Sequence, residues 1–241
     1  MNNNLVLIAG KSATGKSLSL RNLKDPKGVI YLNCENNKAL PFADKFRAKV
    51  NIEDPYDVYG AFTQAEGIDE INTIVIDSLT FLMEMFESKY VIKSDDGRQA
   101  WSDYAQYFIN LMNDYVKPST KDIIFTAHTL DVFNEKEMMM ETLVKVKGSL
   151  MNMGIEARFT NVIATKKLSL PDLEPYTKDN DLLTISDRDK LLGFKYVFQT
   201  QPTEATRHER IRSPYEMWTI PETYVNNDIQ LVLDRIHEFY S

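Results

Sequence analysis

The stretch that decides the fold is Gly10-Lys11-Ser12-Ala13-Thr14-Gly15-Lys16-Ser17, "GKSATGKS". It has the spacing G-x-x-x-x-G-K-[ST], in which backbone N–H groups turn inward around a phosphate. Gly10 and Gly15 stand where side chains would obstruct that cradle. Lys16 supplies a point charge for β- and γ-phosphate oxygens, and the Ser17 hydroxyl is a hard oxygen ligand suited to Mg²⁺. Lys16 is expected to face solvent when no phosphate is bound.

The flanks agree with that reading. "NLVLIAG" before the loop is a short apolar run, the form of a buried parallel strand. "KSLSLRNL" after it, with Leu18 its first apolar residue, is expected to continue as a helix. The orphan N–H groups of such a helix favour an anion at its N-terminus.

Working outward, apolar runs recur at "GVIYLNC", "INTIVIDS" and "DIIFTAH". Helical patterns lie between them at "PYDVYGAFTQAE" and "WSDYAQYFINLMNDYV". This alternation predicts an α/β fold, a mainly parallel sheet with helices on both faces and ligands at the carboxyl ends of its strands. From about residue 130 the pattern changes. "MMMETLVKVKG" alternates as a strand or hairpin arm, with Lys145 and Lys147 on one face. "NVIATKKLSL" and "FKYVFQTQ" read as further strands, and "NNDIQLVLDRIHEFY" as a capped amphipathic helix. The expectation is one domain over residues 1–241 with a β-rich C-terminal third.

A hydrophobic content of 43% and a charged content of 26% suit a globular protein with a full core. A net charge of -7 means that any nucleic-acid contact must come from a local basic patch. One cysteine, Cys34, excludes an internal disulfide and a multi-Cys zinc site, and reads as a small buried residue in a reducing compartment. "MNNNLVLIAG" lacks the basic region of a signal peptide, and no stretch approaches membrane-spanning length. A cytoplasmic protein is expected.

The strand tips carry the candidate chemistry. Asp77 ends "INTIVIDS", where a carboxylate beside a phosphate loop supports Mg²⁺; Ser78 after it reads as a local hydrogen-bonding residue. Glu35 in "VIYLNCENN" is placed to activate the attacking water, its bland alternative being a solvated loop-end carboxylate. His128 ends "DIIFTAH" as either a γ-phosphate sensor or a turn residue capping local backbone. His208 and His237 read as surface residues without metal-ligand spacing.

"ATRHERIRSP" packs Arg207, Arg210 and Arg212 together, suited to phosphoryl charge, to DNA phosphates or to a solvated turn. Met138, Met139, Met140, Met151 and Met153 read as core filler by default, with a segment that repacks on a partner as the alternative.

An [NT]-K-x-D guanine-reading element is lacking, since "ATKKLSL" has Leu168 where the aspartate belongs. Lys11 is spaced from Lys16 as in the ParA/MinD-like loop, but Ser12 and Ala13 depart from that loop's glycines.

In order, the phosphate loop, Glu35, "TIVIDSLTFL" and "IIFTAH" resemble the RecA core. More narrowly, "VIDSLTFL", "WSDYAQYF", "IIFTAH" and "VKGSL" are similar to the short phage-encoded RecA-like ATPases, single-strand-annealing recombinases among them. The similarity spans most of the chain. It implies a RecA-like P-loop fold, ATP and Mg²⁺ as ligands, and DNA-stimulated hydrolysis serving single-stranded DNA binding, annealing or strand exchange. It implies nucleotide contacts along Gly10–Leu18 and at His128, metal contacts from Ser17 and Asp77, and catalysis by Lys16, Glu35 and Asp77.

A basic element before proline near the C-terminus also belongs to the family pattern. Arg210 matches it best, with Arg207 in reserve, as a second cation for the γ-phosphate, given in cis or in trans. The segment Leu130 to Leu150 would carry the DNA response. Partners implied are single-stranded DNA, further copies in a ring or filament, and phage or host single-strand-binding or replication proteins in an infected bacterium's cytoplasm, with no membrane. Two other readings stay open: a phosphotransferase acting on a small acceptor, and a nucleotide-gated loader or regulator.

Overall fold

The computed structural model describes residues 2–241. Nine strands form its sheet: β1 Leu5–Gly10, β2 Val29–Asn33, β3 Ala48–Asn51, β4 Thr73–Asp77, β5 Asp122–Asn134, β6 Met139–Val144, β7 Asn161–Ser169, β8 Phe194–Gln199 and β9 Tyr224–Asn226. The helices are α1 Asp57–Glu66, α2 Leu79–Phe86, α3 Gly97–Asn110, α4 Gly148–Met153, α5 Leu170–Leu173, α6 Asp187–Leu192 and α7 Ile229–Tyr240.

Side chains of β1 explain why its sequence is an unbroken apolar run. Leu5, Leu7 and Ala9 enter one core layer, and Val6 and Ile8 enter the opposite one. The first layer holds Val58 and Phe62 of α1, Leu82 and Phe86 of α2, and Tyr104 and Phe108 of α3. The second holds Leu20, Trp218 and the α7 residues Val232, Leu233 and Ile236. A strand covered on both faces has no polar side to alternate with.

The strand order is β3-β2-β4-β5-β1-β7-β8-β9. From β3 to β7 the pairings are parallel, and β8 and β9 add antiparallel. β5 therefore lies between the phosphate-loop strand and the Asp77 strand. In register, Gly10 stands opposite His128 and Asn33 opposite Asp77, so the chemistry-bearing tips form one row. Beyond that row β5 runs on into a hairpin with β6, as the alternation of "MMMETLVKVKG" predicts. The α/β class and the β-rich C-terminal part are as expected.

The segment after the loop departs from expectation: Ser17–Asn22 is a 3-10 helix of 6 residues. Ser19 Oγ donates back to Lys16 O at 2.6 Å, a local bond that competes with α-helix propagation. Asp25 is followed by Pro26, which leaves little chain for a longer helix. The long helical pattern at residues 101–116 is realised as α3 followed by a π-helical turn, Leu111–Val116. The short edge strand β3 and the three-residue β9 had no signal in the sequence.

Candidate nucleotide site

The phosphate loop is shaped by two close approaches. A Cβ at Gly10 would collide with the Thr165 hydroxyl of β7, which also meets Thr14 Oγ1 at 2.5 Å. Gly15 has φ of +101°, a conformation that side chains disfavour, and packs against Asn227. The Asn227 amide is buried, with neither its nitrogen nor its oxygen partnered.

Lys16 does not face solvent, contrary to the expectation from sequence. It is 6% exposed, and its Nζ donates to Gly10 O at 3.0 Å and Lys11 O at 2.8 Å. A desolvated ammonium needs acceptors, and the carbonyls of its own loop provide them. Burial lowers the Lys16 pKa to about 8, against the opposing pull of Asp77 and Glu35. Lys11, by contrast, turns away from the loop to pair with Asp131 at 2.6 Å.

Asp77, 1% exposed, accepts from the Tyr31 hydroxyl at 2.7 Å and from the Thr126 hydroxyl. Both donors are neutral, so no ion pair balances this carboxylate among the described residues. A buried carboxylate without a cation, across the cleft from the Ser17 hydroxyl, fits Mg²⁺ held mainly by phosphate and water oxygens. The Ser78 side chain makes no local hydrogen bond; its hydroxyl is buried without a partner.

Glu35 lies just past the end of β2 and is 8% exposed. His128 Nε2 stands 3.6 Å from its Oε1, just beyond hydrogen-bond distance, and Lys38 Nζ donates to its Oε2 at 2.9 Å. The imidazole and then the ammonium hold the Glu35 pKa down at about 2, against burial. His128 itself is placed by its backbone N–H, which donates to Thr80 Oγ1 at 2.9 Å, and by edge-on contact with Phe81. It is not a turn residue capping local backbone. Cys34 is buried, as expected, and burial pushes its thiol up.

These groups line one cleft of about 270 Å³, with Ser12, Ala13, Gly15, Lys16, Ser17, Leu18, Glu35, Lys38, Asp77 and His128 on its walls. Sequence reasoning missed Tyr31, Lys38 and Thr126. Tyr31 and Thr126 look like ordinary strand residues, and Lys38, three places after Glu35, looks like an ordinary loop lysine.

Arg210 is not brought to this cleft. It pairs with Glu156 at 3.2 Å and Glu141 at 3.6 Å beside a separate cavity of about 310 Å³. Lys11, Thr165, Lys166 and Glu209 also line that cavity, and Lys166 is bonded to Glu209. Glu156 is buried and its Oε1 accepts from Val144 N, so Arg210 ties "ERIRSP" to the hairpin. Arg207 is exposed and donates to His208.

Lys145 and Lys147 follow β6 rather than lying within it, and pair with Glu84 and Glu87, each at 2.8 Å. Met138, Met140 and Met153 are exposed while Met151 packs against the core, so core filling accounts for only part of the methionine segment. No helix among the described residues is long and apolar enough to cross a membrane.

No curated protein matches the chain. Among solved structures, a KaiC-like protein from the hyperthermophilic archaeon Pyrococcus horikoshii OT3 is 13% identical, with 92% of this chain and 88% of that one covered at a TM-score of 0.46. Residues 2–159, from β1 through the phosphate loop, the Asp77 strand and the β5–β6 hairpin, match the AAA domain family. That match takes in more than half of the chain, and the protein belongs to the AAA domain family.

Proposed function

We propose that the protein binds ATP with Mg²⁺ in the phosphate-loop cleft and hydrolyses it. The observation that carries this reading is the convergence of Lys16, Ser17, Glu35 and Asp77 on one cleft at the carboxyl ends of β1, β2 and β4. When phosphates enter, Lys16 exchanges two loop carbonyls for β- and γ-oxygens, charged acceptors that favour its ammonium form. Mg²⁺, held by Ser17 and supported by Asp77, would neutralise charge on the β- and γ-phosphates.

Glu35 is a carboxylate throughout the neutral range, so it acts by accepting a hydrogen bond from water and aiming it, more than by holding a proton. Glu35→Gln keeps the shape and loses the charge. ATP binding should persist while phosphate release slows roughly 10²-fold or more. Full turnover in that variant would overturn the assignment.

Coupling to single-stranded DNA, and assembly into a ring or filament, are supported by the family resemblance alone and are proposed on that footing. Phosphate release measured with and without single-stranded DNA tests the coupling. Stimulation supports it, and a rate that responds only to a small acceptor points to a phosphotransferase instead.

A further inference from the structure

The turn after β2 is built to aim one lysine into the cleft. Asn36 and Asn37 are both left-handed, with φ of 50° and 59°, which folds the chain back on itself directly after Glu35. The Asn33 side chain clamps both ends of the turn: its Oδ1 accepts from Glu35 N at 2.9 Å and its Nδ2 donates to Lys38 O at 3.0 Å. Lys38 N donates to Glu35 O at 3.0 Å and closes it. A turn held at three points directs the Lys38 stem over Glu35, where Nζ meets Oε2 at 2.9 Å with the side chain 70% exposed.

We propose that Lys38 is the second cation of the phosphate site, supplied from within the chain, and that it leaves Glu35 for the γ-phosphate when ATP binds. The proposal rests on the ATP reading of the cleft. Two observations favour Lys38 over the arginines near the C-terminus. It lines the same cleft as Lys16, Ser17 and Asp77, and its charge is felt at Lys16. Arg210 is held by Glu141 and Glu156 at a different cavity.

The exchange also explains how Glu35 becomes available. With Lys38 bonded to Oε2 and His128 3.6 Å from Oε1, the carboxylate has one oxygen bonded and the other flanked by the imidazole. A γ-phosphate carries more negative charge than a carboxylate, and a mostly exposed lysine can swing to it at little cost. That move frees Oε2 for water at the moment the substrate is present. In hydrolysis the water oxygen bonds to the γ-phosphorus as the bond to the β–γ bridging oxygen breaks, giving ADP, inorganic phosphate and the proton released from water. Lys38 then offsets charge on the transferring group while Glu35 orients the water.

The test compares wild type, Lys38→Ala and Lys38→Arg for MgADP affinity, for affinity towards a non-hydrolysable ATP analogue with an intact γ-phosphate group, and for kcat of phosphate release. In Lys38→Ala, MgADP affinity should stay unchanged while analogue affinity falls and kcat drops on the order of 10²-fold. Lys38→Arg should recover part of both losses. Mixed Lys38→Ala and Glu35→Gln chains should be no more active than the two variants apart, because one chain must hold both groups.

Unchanged analogue affinity and kcat in Lys38→Ala would overturn the proposal while leaving the ATP reading intact. A raised kcat would also overturn it, by showing that Lys38 only restrains Glu35. Recovery in the mixture would overturn the placement within one chain. If wild type binds neither MgADP nor the analogue, the ATP reading and this proposal fall together.

Discussion

At the strand tips of the first half, Lys16, Glu35 and Asp77 meet in one cleft, and Asp77 has no ion-pair partner among the described residues. In the C-terminal third, Lys145, Lys147, Lys166 and Arg210 each hold an acid within 4 Å. Among the described residues the first arrangement leaves Lys16 and Asp77 without an ion-pair partner where a charged ligand can complete them, and pairs Glu35 with the mostly exposed Lys38. The second uses its charges to hold the hairpin, α2 and "ERIRSP" together. A cluster of basic residues in a sequence is compatible with either use, and only long-range pairing separates them.

Lys16→Ala breaks the first half of that contrast most severely. ATP binding should fall beyond measurement at micromolar protein, and phosphate release with it. The fold should survive, since the lysine bonds only to its own loop. The same residue gives a pH signature. Its pKa is about 8 in the unliganded protein and must rise when phosphates replace the carbonyls. ATP affinity should therefore be flat below pH 8, weaken by up to tenfold per unit above it, and be accompanied by proton uptake near that pH. Buffer-dependent binding enthalpies across pH 7 to 9.5 check this, and affinity that is flat throughout would place Lys16 away from the phosphates.

The linkage for folding has the opposite sign. Between about 8 and 10.5 the unfolded chain binds more protons at Lys16 than the folded one, so this group makes stability rise with pH in that window. Glu35, held at about 2, contributes stability that is present above pH 4.5 and lost as pH falls towards 2.

Why the cleft was largely legible and the rest was not follows from what decides position. Gly10, Glu35, Asp77 and His128 sit at or just past the ends of neighbouring parallel strands, and one topological rule brings such ends together. Short-range pattern therefore sufficed. Lys38 escaped because its direction depends on two consecutive left-handed asparagines, which no hydrophobic period reports. Arg210 escaped because its partner Glu156 lies 54 residues away in the chain. The helix expected after the loop failed on local chemistry, through Ser19 and Pro26.

Arg210→Ala sharpens the second half of the contrast. It leaves Glu156 buried with one charge partner gone, although Val144 N still donates to its other oxygen. Stability should drop by about 1–3 kcal/mol, read as a lowered Tm, while phosphate release per folded chain is kept. Loss of hydrolysis with unchanged Tm would restore Arg210 as a cation that acts on phosphate, necessarily from a neighbouring chain or after leaving its two glutamates.

The smallest effect is expected at Lys145 and Lys147. Both side chains are about half exposed, at 50% and 54%, and each is neutralised by a glutamate at 2.8 Å. Exposed pairs of this kind contribute roughly 0–1 kcal/mol, so neutralising both lysines with glutamine should barely move the Tm. Their meaning for DNA is decided by salt. Lysines that leave Glu84 and Glu87 to reach DNA phosphates would release counterions, and removing them would lower the slope of log affinity against log salt by about one for each phosphate they neutralise. Lysines that stay paired would leave the slope where it was. The structure offers them partners already in place, so the expected outcome is an unchanged slope for any single-stranded DNA binding the wild type displays. A clear fall in slope would mean that the pairs with Glu84 and Glu87 open, and that the C-terminal third also gives up internal charge pairing to a ligand.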